Sequence, residues 1–154
     1  MARLPADLPG PKFVFAHITA PHHPYVLAAD GSFRVWPEEQ KHEGYLAAVT
    51  YLDGWIAQVV EEIRTQSDPA PIIIIQGDHG VDGQTRLEVL NALSLPCAGQ
   101  PMLYPTLSSV NTFRVVFDAC FGEQNGLLED ISYSSVWGQR TQFEVSPPEC
   151  FVEP

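Results

Sequence analysis

Asp78 and His79 stand at the end of "PIIIIQGDHG" (residues 71–80), where four isoleucines run into two side chains that are good ligands for a divalent ion. Adjacent loop residues can both reach one ion, because the strict alternation of side chains along a strand is relaxed there. The competing assignment is a turn in which Asp78 caps backbone amides and His79 is an ordinary surface residue. A second group, "HITAPHHPY" (17–25), sets His22 and His23 between Pro21 and Pro24. Prolines on both sides restrict the backbone and hold an imidazole at fixed aim for little entropy. Such a ring suits an anionic substrate group or a metal, whereas a stiff loop with histidines in water is the bland alternative.

Other polar residues are less distinctive. Arg86 suits an anionic oxygen, with a solvated or salt-bridged arginine as the competing reading. His17, inside an apolar run, reads as a buried, hydrogen-bonded residue, and His42 beside Glu43 as a surface one. Asp82 and Asn91 follow the Asp-His pair without a distinct role. The chain contains no G-x-S-x-G, P-loop or G-x-G-x-x-G pattern, so serine-hydrolase, nucleotide-phosphate and dinucleotide chemistry have no support. Cys97, Cys120 and Cys150 are widely spaced with no CxxC pair, which indicates neither a structural zinc site nor a dense disulfide framework, and Cys120 reads as core.

These groups need elements to position them. "KFVFAHI" (12–18), apolar and bounded by Pro11 and Pro21, predicts a strand, and the proline-rich stretch after it a long loop with an Asp30-Gly31 turn. Between Gly44 and about Gln66, Tyr45, Ala48, Leu52, Trp55, Ile56, Val59 and Ile63 recur at helical spacing. "IIIIQG" lacks polar alternation, as a central strand covered on both faces would. Strand, crossover helix and strand make a βαβ unit with parallel strands, so the expected fold class is α/β with a mostly parallel sheet and flanking helices. Ligands of such sheets gather at the carboxyl ends of the strands, where the two histidine-bearing groups are expected to converge.

Downstream, "RLEVLNALSLP" (86–96) is read as a third strand around Leu87 to Leu93, a short helix fitting about as well. "SSVNTFRVVFDACFG" (108–122) predicts a helix with Ser108 or Ser109 as N-cap, Phe113, Val116, Phe117 and Cys120 on one face, and Gly122 as the stop. From Asn125 onward the chain reads as irregular, pinned by Tyr133, Trp137 and Phe143.

Bulk properties exclude several partners. The 19 acidic against 8 basic residues give a net charge of -11, the wrong sign for nucleic acid or an anionic membrane surface. No apolar run approaches the roughly 20 residues of a membrane span, and "MARLPADLPGPK" lacks the apolar stretch of a secretory signal, so the chain as given reads as soluble.

"FVFAHITAPHHPY", "YLAAVTYLDGWI" and "IIIIQGDHG", in that order and spacing, resemble the carboxyl-terminal half of the sulfatase-like branch of the alkaline phosphatase superfamily, the branch of lipoteichoic acid synthases and phosphoglycerol transferases. "VLNALSLP" and "PTLSSVNTFRVVFDACFG" resemble the downstream part of such domains. The resemblance covers roughly residues 12–122. It implies a partial sulfatase-like domain over 12–122, an irregular or disordered lead-in over 1–11 and an irregular tail over 123–154 packed on the domain.

By the same resemblance Asp78 and His79 are ligands of a catalytic divalent metal (manganese, zinc or calcium). His22, with His23 as the weaker alternative, contacts the phosphate or sulfate group of an ester substrate. The family's nucleophile, and an acidic ligand at the end of an early strand, lie more than a hundred residues before the His-Pro-Tyr loop, whereas eleven residues precede the expected first strand here. The expectation is therefore a fragment with an incomplete metal site, inactive alone, from the extracytoplasmic part of a membrane-anchored hydrolase or transferase. An unpaired sheet edge in such a fragment would favour a homodimer. The alternative is a non-catalytic binding or assembly module that keeps the fold.

Overall fold

A computed structural model describes residues 10–81, 86–97, 102–135 and 141–146. The chain divides into two compact units, residues 1–59 and 60–154.

In the first unit the segment 12–18 forms no strand: its residues are exposed, Phe13 at 80% and Phe15 at 78%. This corrects the strand expected there. Branched and aromatic residues favour a strand only when a neighbouring edge supplies hydrogen bonds and a packed face, and no described strand of this unit offers one. His17, expected to be buried, is exposed with it. The following loop is more ordered than its prolines suggest. Leu27 bridges Phe33, Arg34 N–H donates to Val26 O, and Asp30 Oδ1 accepts the Ser32 amide at 2.9 Å. Gly31 turns the chain with φ of 80°, a conformation L side chains rarely adopt.

After a 3-10 turn at Glu38–Gln40, helix α1 runs over Lys41–Gln66. Its buried residues Gly44, Ala48 and Leu52 recur every four positions, on the side of the predicted stripe. Trp36 covers Gly44 so closely that a Cβ there would lie 2.8 Å from the indole Cγ. The Trp36 Nε1–H donates to Leu27 O, and the Arg34 guanidinium lies 3.9 Å from its ring centroid.

In the second unit β1 (Ile73–Gln76) pairs with β2 (Asn91–Ser94) in antiparallel register, Ile73 opposite Ser94 and Gln76 opposite Asn91. The mostly parallel sheet is thus not what the described residues form. Both described sheets are two-stranded and antiparallel, the second joining β3 (Ser132–Ser135) and β4 (Phe143–Ser146). No α-helix is described in the connection between β1 and β2, whose described residues hold only a 3-10 turn at Arg86 and Leu87, and β2 runs back antiparallel beside β1. The isoleucine run is half-buried rather than covered on both faces. Ile72 and Ile74 pack on a core of Leu95, Leu107, Val115 and Val116. β2 falls within the segment read as a third strand.

Helix α2 (Ser109–Phe121) starts after Ser108 and ends at Gly122, whose φ is 74°. Both ends match the sequence, as do Val116, which is buried, and Cys120, which packs on the core, but Phe113 and Phe117 are not part of the buried face. It consists of Asn111, Thr112, Val115 and Val116, while Phe113 and Phe117 are 42% and 44% exposed and stack on each other with centroids 6.0 Å apart. Apolarity alone points at the phenylalanines. Asn111 and Thr112 are buried instead because each finds hydrogen-bond partners there, which removes the cost of enclosing them.

One further feature departs from expectation: Cys97 and Cys120 form a disulfide. A closed loop of this length limits the unfolded chain enough to contribute about 3 kcal/mol.

Candidate metal and anion site

The Asp78–His79 loop is built by its backbone. Gly77 N–H donates to Leu90 O at 2.9 Å and Gly80 N–H to Arg86 O at 2.8 Å, so the residues flanking the pair are tied to the lead-in of β2. Asp78 Oδ1 accepts the His79 amide at 3.0 Å, and His79 Nδ1 meets Gly80 O at 2.7 Å. A carbonyl oxygen only accepts, so Nδ1 carries the proton. In the neutral ring this leaves the Nε2 lone pair 3.5 Å from Asp78 Oδ2.

Both acceptor atoms are open to water and to an approaching ion. Zinc bonds of roughly 2.0 to 2.2 Å at a tetrahedral angle separate two donor atoms by about 3.4 Å. The pair therefore fits two ligand positions, and a backbone carbonyl on the remote ring nitrogen is the usual support of a metal-binding histidine. Asp78 is 89% exposed and His79 36%, so an ion can reach both. Among the described residues no three His, Cys, Asp or Glu side chains are grouped to hold an ion, and two side chains are fewer than the three or four protein ligands a catalytic site needs. Arg86 is exposed, and its carbonyl bond to Gly80 fixes its backbone beside the loop. Asp82 lies outside the described residues.

His22 and His23 belong to the first unit, where they make different contacts. His22 Nδ1 donates to the carbonyl of His23, which leaves Nε2 as its available atom. His23 is engaged within its own unit. Its Nε2 lies 3.8 Å from Glu38 Oε2 and its ring stands edge-on to Tyr25, which in turn meets Tyr45 of α1 edge-on at 5.7 Å. The His23–Glu38 pair is exposed and worth little as an ion pair, so the aromatic contacts hold the ring. His42 is exposed, as expected. In the same unit a shallow groove of about 500 Å³ between Ala29, Tyr51, Trp55 and Gln58 holds no histidine, carboxylate or cation.

Sequence reasoning missed a polar cluster that braces α2. Asn111, fully buried, donates from Nδ2 to Asp130 Oδ1 and Leu128 O and accepts the Leu128 amide. Asp130 also accepts from Ser108 N–H and Tyr104 Oη–H. Burial pushes the Asp130 carboxyl pKa up, but the hydrogen bonds from Ser108, Tyr104 and Asn111 outweigh burial and hold it below its usual value. Burial and the bond to Asp130 push the Tyr104 hydroxyl up, partly opposed by Asn111. This cluster anchors the chain after Gly122. Tyr133 and Phe143, expected to be the pins, are 59% and 63% exposed, and Trp137 lies outside the described residues. The signal in the sequence was Asn111-Thr112 one turn ahead of Val115-Val116, two polar residues on the face that continues into the valines.

A model of the Sulfatase family matches residues 4–114, a stretch that contains His22, His23, Asp78, His79 and Arg86. No curated protein and no solved structure matches the chain.

Proposed function

The chain belongs to the Sulfatase family, and from that premise we propose that it is the carboxyl-terminal part of a metal-dependent hydrolase or transferase of the lipoteichoic acid synthase and phosphoglycerol transferase branch. The family in general acts on sulfate or phosphate esters and uses a divalent metal. The observation that carries the reading is the Asp78–His79 pair, two donor atoms 3.5 Å apart with the far ring nitrogen committed to Gly80 O.

In the complete protein Asp78 and His79 hold the ion, which when bound polarises the transferred group and lowers the pKa of a nucleophilic hydroxyl. The Gly80 carbonyl keeps the His79 ring in the tautomer that binds. His22, with Nδ1–H already given to the His23 carbonyl, presents Nε2 to the anionic phosphate or sulfate group of the substrate. That is a charge-assisted contact, the stronger kind. Arg86 adds a second cation near the loop. His23 supports the loop through Tyr25 rather than touching substrate.

With two metal ligands and no activated nucleophile assigned to it, the chain alone turns over little or nothing. Its setting is the extracytoplasmic side of a membrane-anchored parent. The Cys97–Cys120 disulfide supports an oxidising compartment, and no described helix is long and apolar enough to cross a membrane. Among the described residues the outer edges of β1 and β2 pair with no other strand, which supports edge pairing with a second copy.

The test is Asp78→Ala in the full-length enzyme, with metal content and turnover of the phosphate or sulfate ester measured together. Both should fall sharply. Unchanged values for both would remove Asp78 and His79 from the site.

A further inference from the structure

Cys97 lies three residues past the end of β2, and Cys120 in the last turn of α2. Both pack against the core of Leu95, Leu107, Val115 and Val116. A core with so few fully buried apolar side chains gives α2 limited hold on the sheet, so a covalent link there has a large effect. The attachment of β2 is two-ended. At its start Asn91 Nδ2 donates to Leu107 O and Thr112 Oγ1 at 2.9 and 3.0 Å. Beyond its end the disulfide joins it to the far end of α2.

Leu90 directly before β2 and Arg86 five residues before it have carbonyls that accept the amides of Gly77 and Gly80, respectively. These are the residues on either side of Asp78 and His79. A continuous run of bonded atoms thus leads from the disulfide through β2 to the loop.

We propose that the Cys97–Cys120 disulfide is a redox-sensitive brace of the Asp78–His79 loop. A dithiol reductant breaks the S–S bond. Two electrons and two protons pass to the sulfurs, giving two thiols, and the reductant closes to its own disulfide. β2 then loses its covalent link to α2 and keeps the Asn91–Thr112 hydrogen bond and the packing of Leu93 on the core, and the hydrogen bonds of Gly77 and Gly80 open more often. The consequence for metal binding rests on the function proposed above, whereas the loosening of the loop does not.

The experiment uses the full chain with Cys150→Ser, so that Cys97 and Cys120 are its only sulfhydryl candidates. Alkylation in denaturant without reductant, read by mass spectrometry, should label neither. Two labelled thiols would overturn the proposal. Amide hydrogen exchange is then compared before and after treatment with dithiothreitol. The Gly77 and Gly80 amides should exchange about ten-fold faster or more, and the melting midpoint should fall by about 10 °C, with α2 still protected. The variant with both Cys97→Ser and Cys120→Ser should match the reduced protein. Unchanged protection at Gly77 and Gly80, or loss of α2 protection along with theirs, would show that no brace specific to the loop exists. Failure of the metal assignment would appear elsewhere, in unchanged metal content of Asp78→Ala full-length enzyme.

Discussion

Asn111 Nδ2 donates to Asp130 Oδ1 at 2.9 Å from a position with no solvent exposure, joining α2 to a residue 19 positions later. The same side chain pairs with both the amide and the carbonyl of Leu128. Asn111→Leu would remove the three hydrogen bonds that join α2 to Leu128 and Asp130, a cost of about 3 kcal/mol at about 1 kcal/mol each. Urea denaturation should show a lower midpoint at unchanged slope. A midpoint equal to that of the unmodified chain would mean the cluster contributes nothing to stability.

The same cluster sets a pH window. The folded Asp130 pKa lies below its unfolded value, so its contribution is complete above about pH 4 and is lost as pH falls through the folded value. Tyr104 has the opposite sign. Its folded pKa is raised, so its contribution is complete below about pH 10 and is lost as pH rises through the folded value. The melting midpoint against pH should fall at both ends. Asp130→Asn should flatten the acid limb and Tyr104→Phe the alkaline one. An unchanged acid limb in Asp130→Asn would assign acid sensitivity to other carboxylates, of which Asp118, held low chiefly by the Asn125 amide, is the first to try.

Gly44 offers a case where two effects oppose each other. Alanine is favoured over glycine inside a helix by about 1 kcal/mol. A Cβ at this position would meet Trp36 Cγ at 2.8 Å, and the indole is held by Leu27 O and Arg34. Displacing a held ring costs about 1–3 kcal/mol, so Gly44→Ala should destabilise the chain. Gly54→Ala, where nothing lies within 4 Å, should stabilise it. Thermal melts of both variants decide the sign.

The two neighbouring histidines should differ in kinetics. In the complete enzyme His22→Ala should lower turnover by about 100-fold, the loss of a charge-assisted contact to the reacting group. His23→Ala, whose ring is engaged with Tyr25 and Glu38, should cost only a few-fold. Steady-state rates of the two variants measured side by side check this, and equal losses would refute the division.

Helix α1, the ends of α2 and the apolar run leading to Asp78 and His79 were legible because each is a local signal. Periodicity, the Ser108 and Gly122 boundaries and a run of isoleucines involve residues close in the chain. Motif order and spacing likewise sufficed for the family resemblance at the level of the Sulfatase family, whose model matches residues 4–114.

What tertiary structure decided were choices among partners. "KFVFAHI" and "IIIIQG" read alike as strands, yet only the second meets an edge, and that edge is antiparallel. The buried side of α2 follows Asn111 because Asp130 and Leu128 lie where its amide reaches, a match made across the fold. The Cys97–Cys120 bond, the carbonyl on His79 Nδ1 and the engagement of His23 by Glu38 and Tyr25 are of the same kind. A hydrogen bond or disulfide depends on two groups arriving within a few ångströms at the right angle, and residue identity carries no record of which groups will arrive.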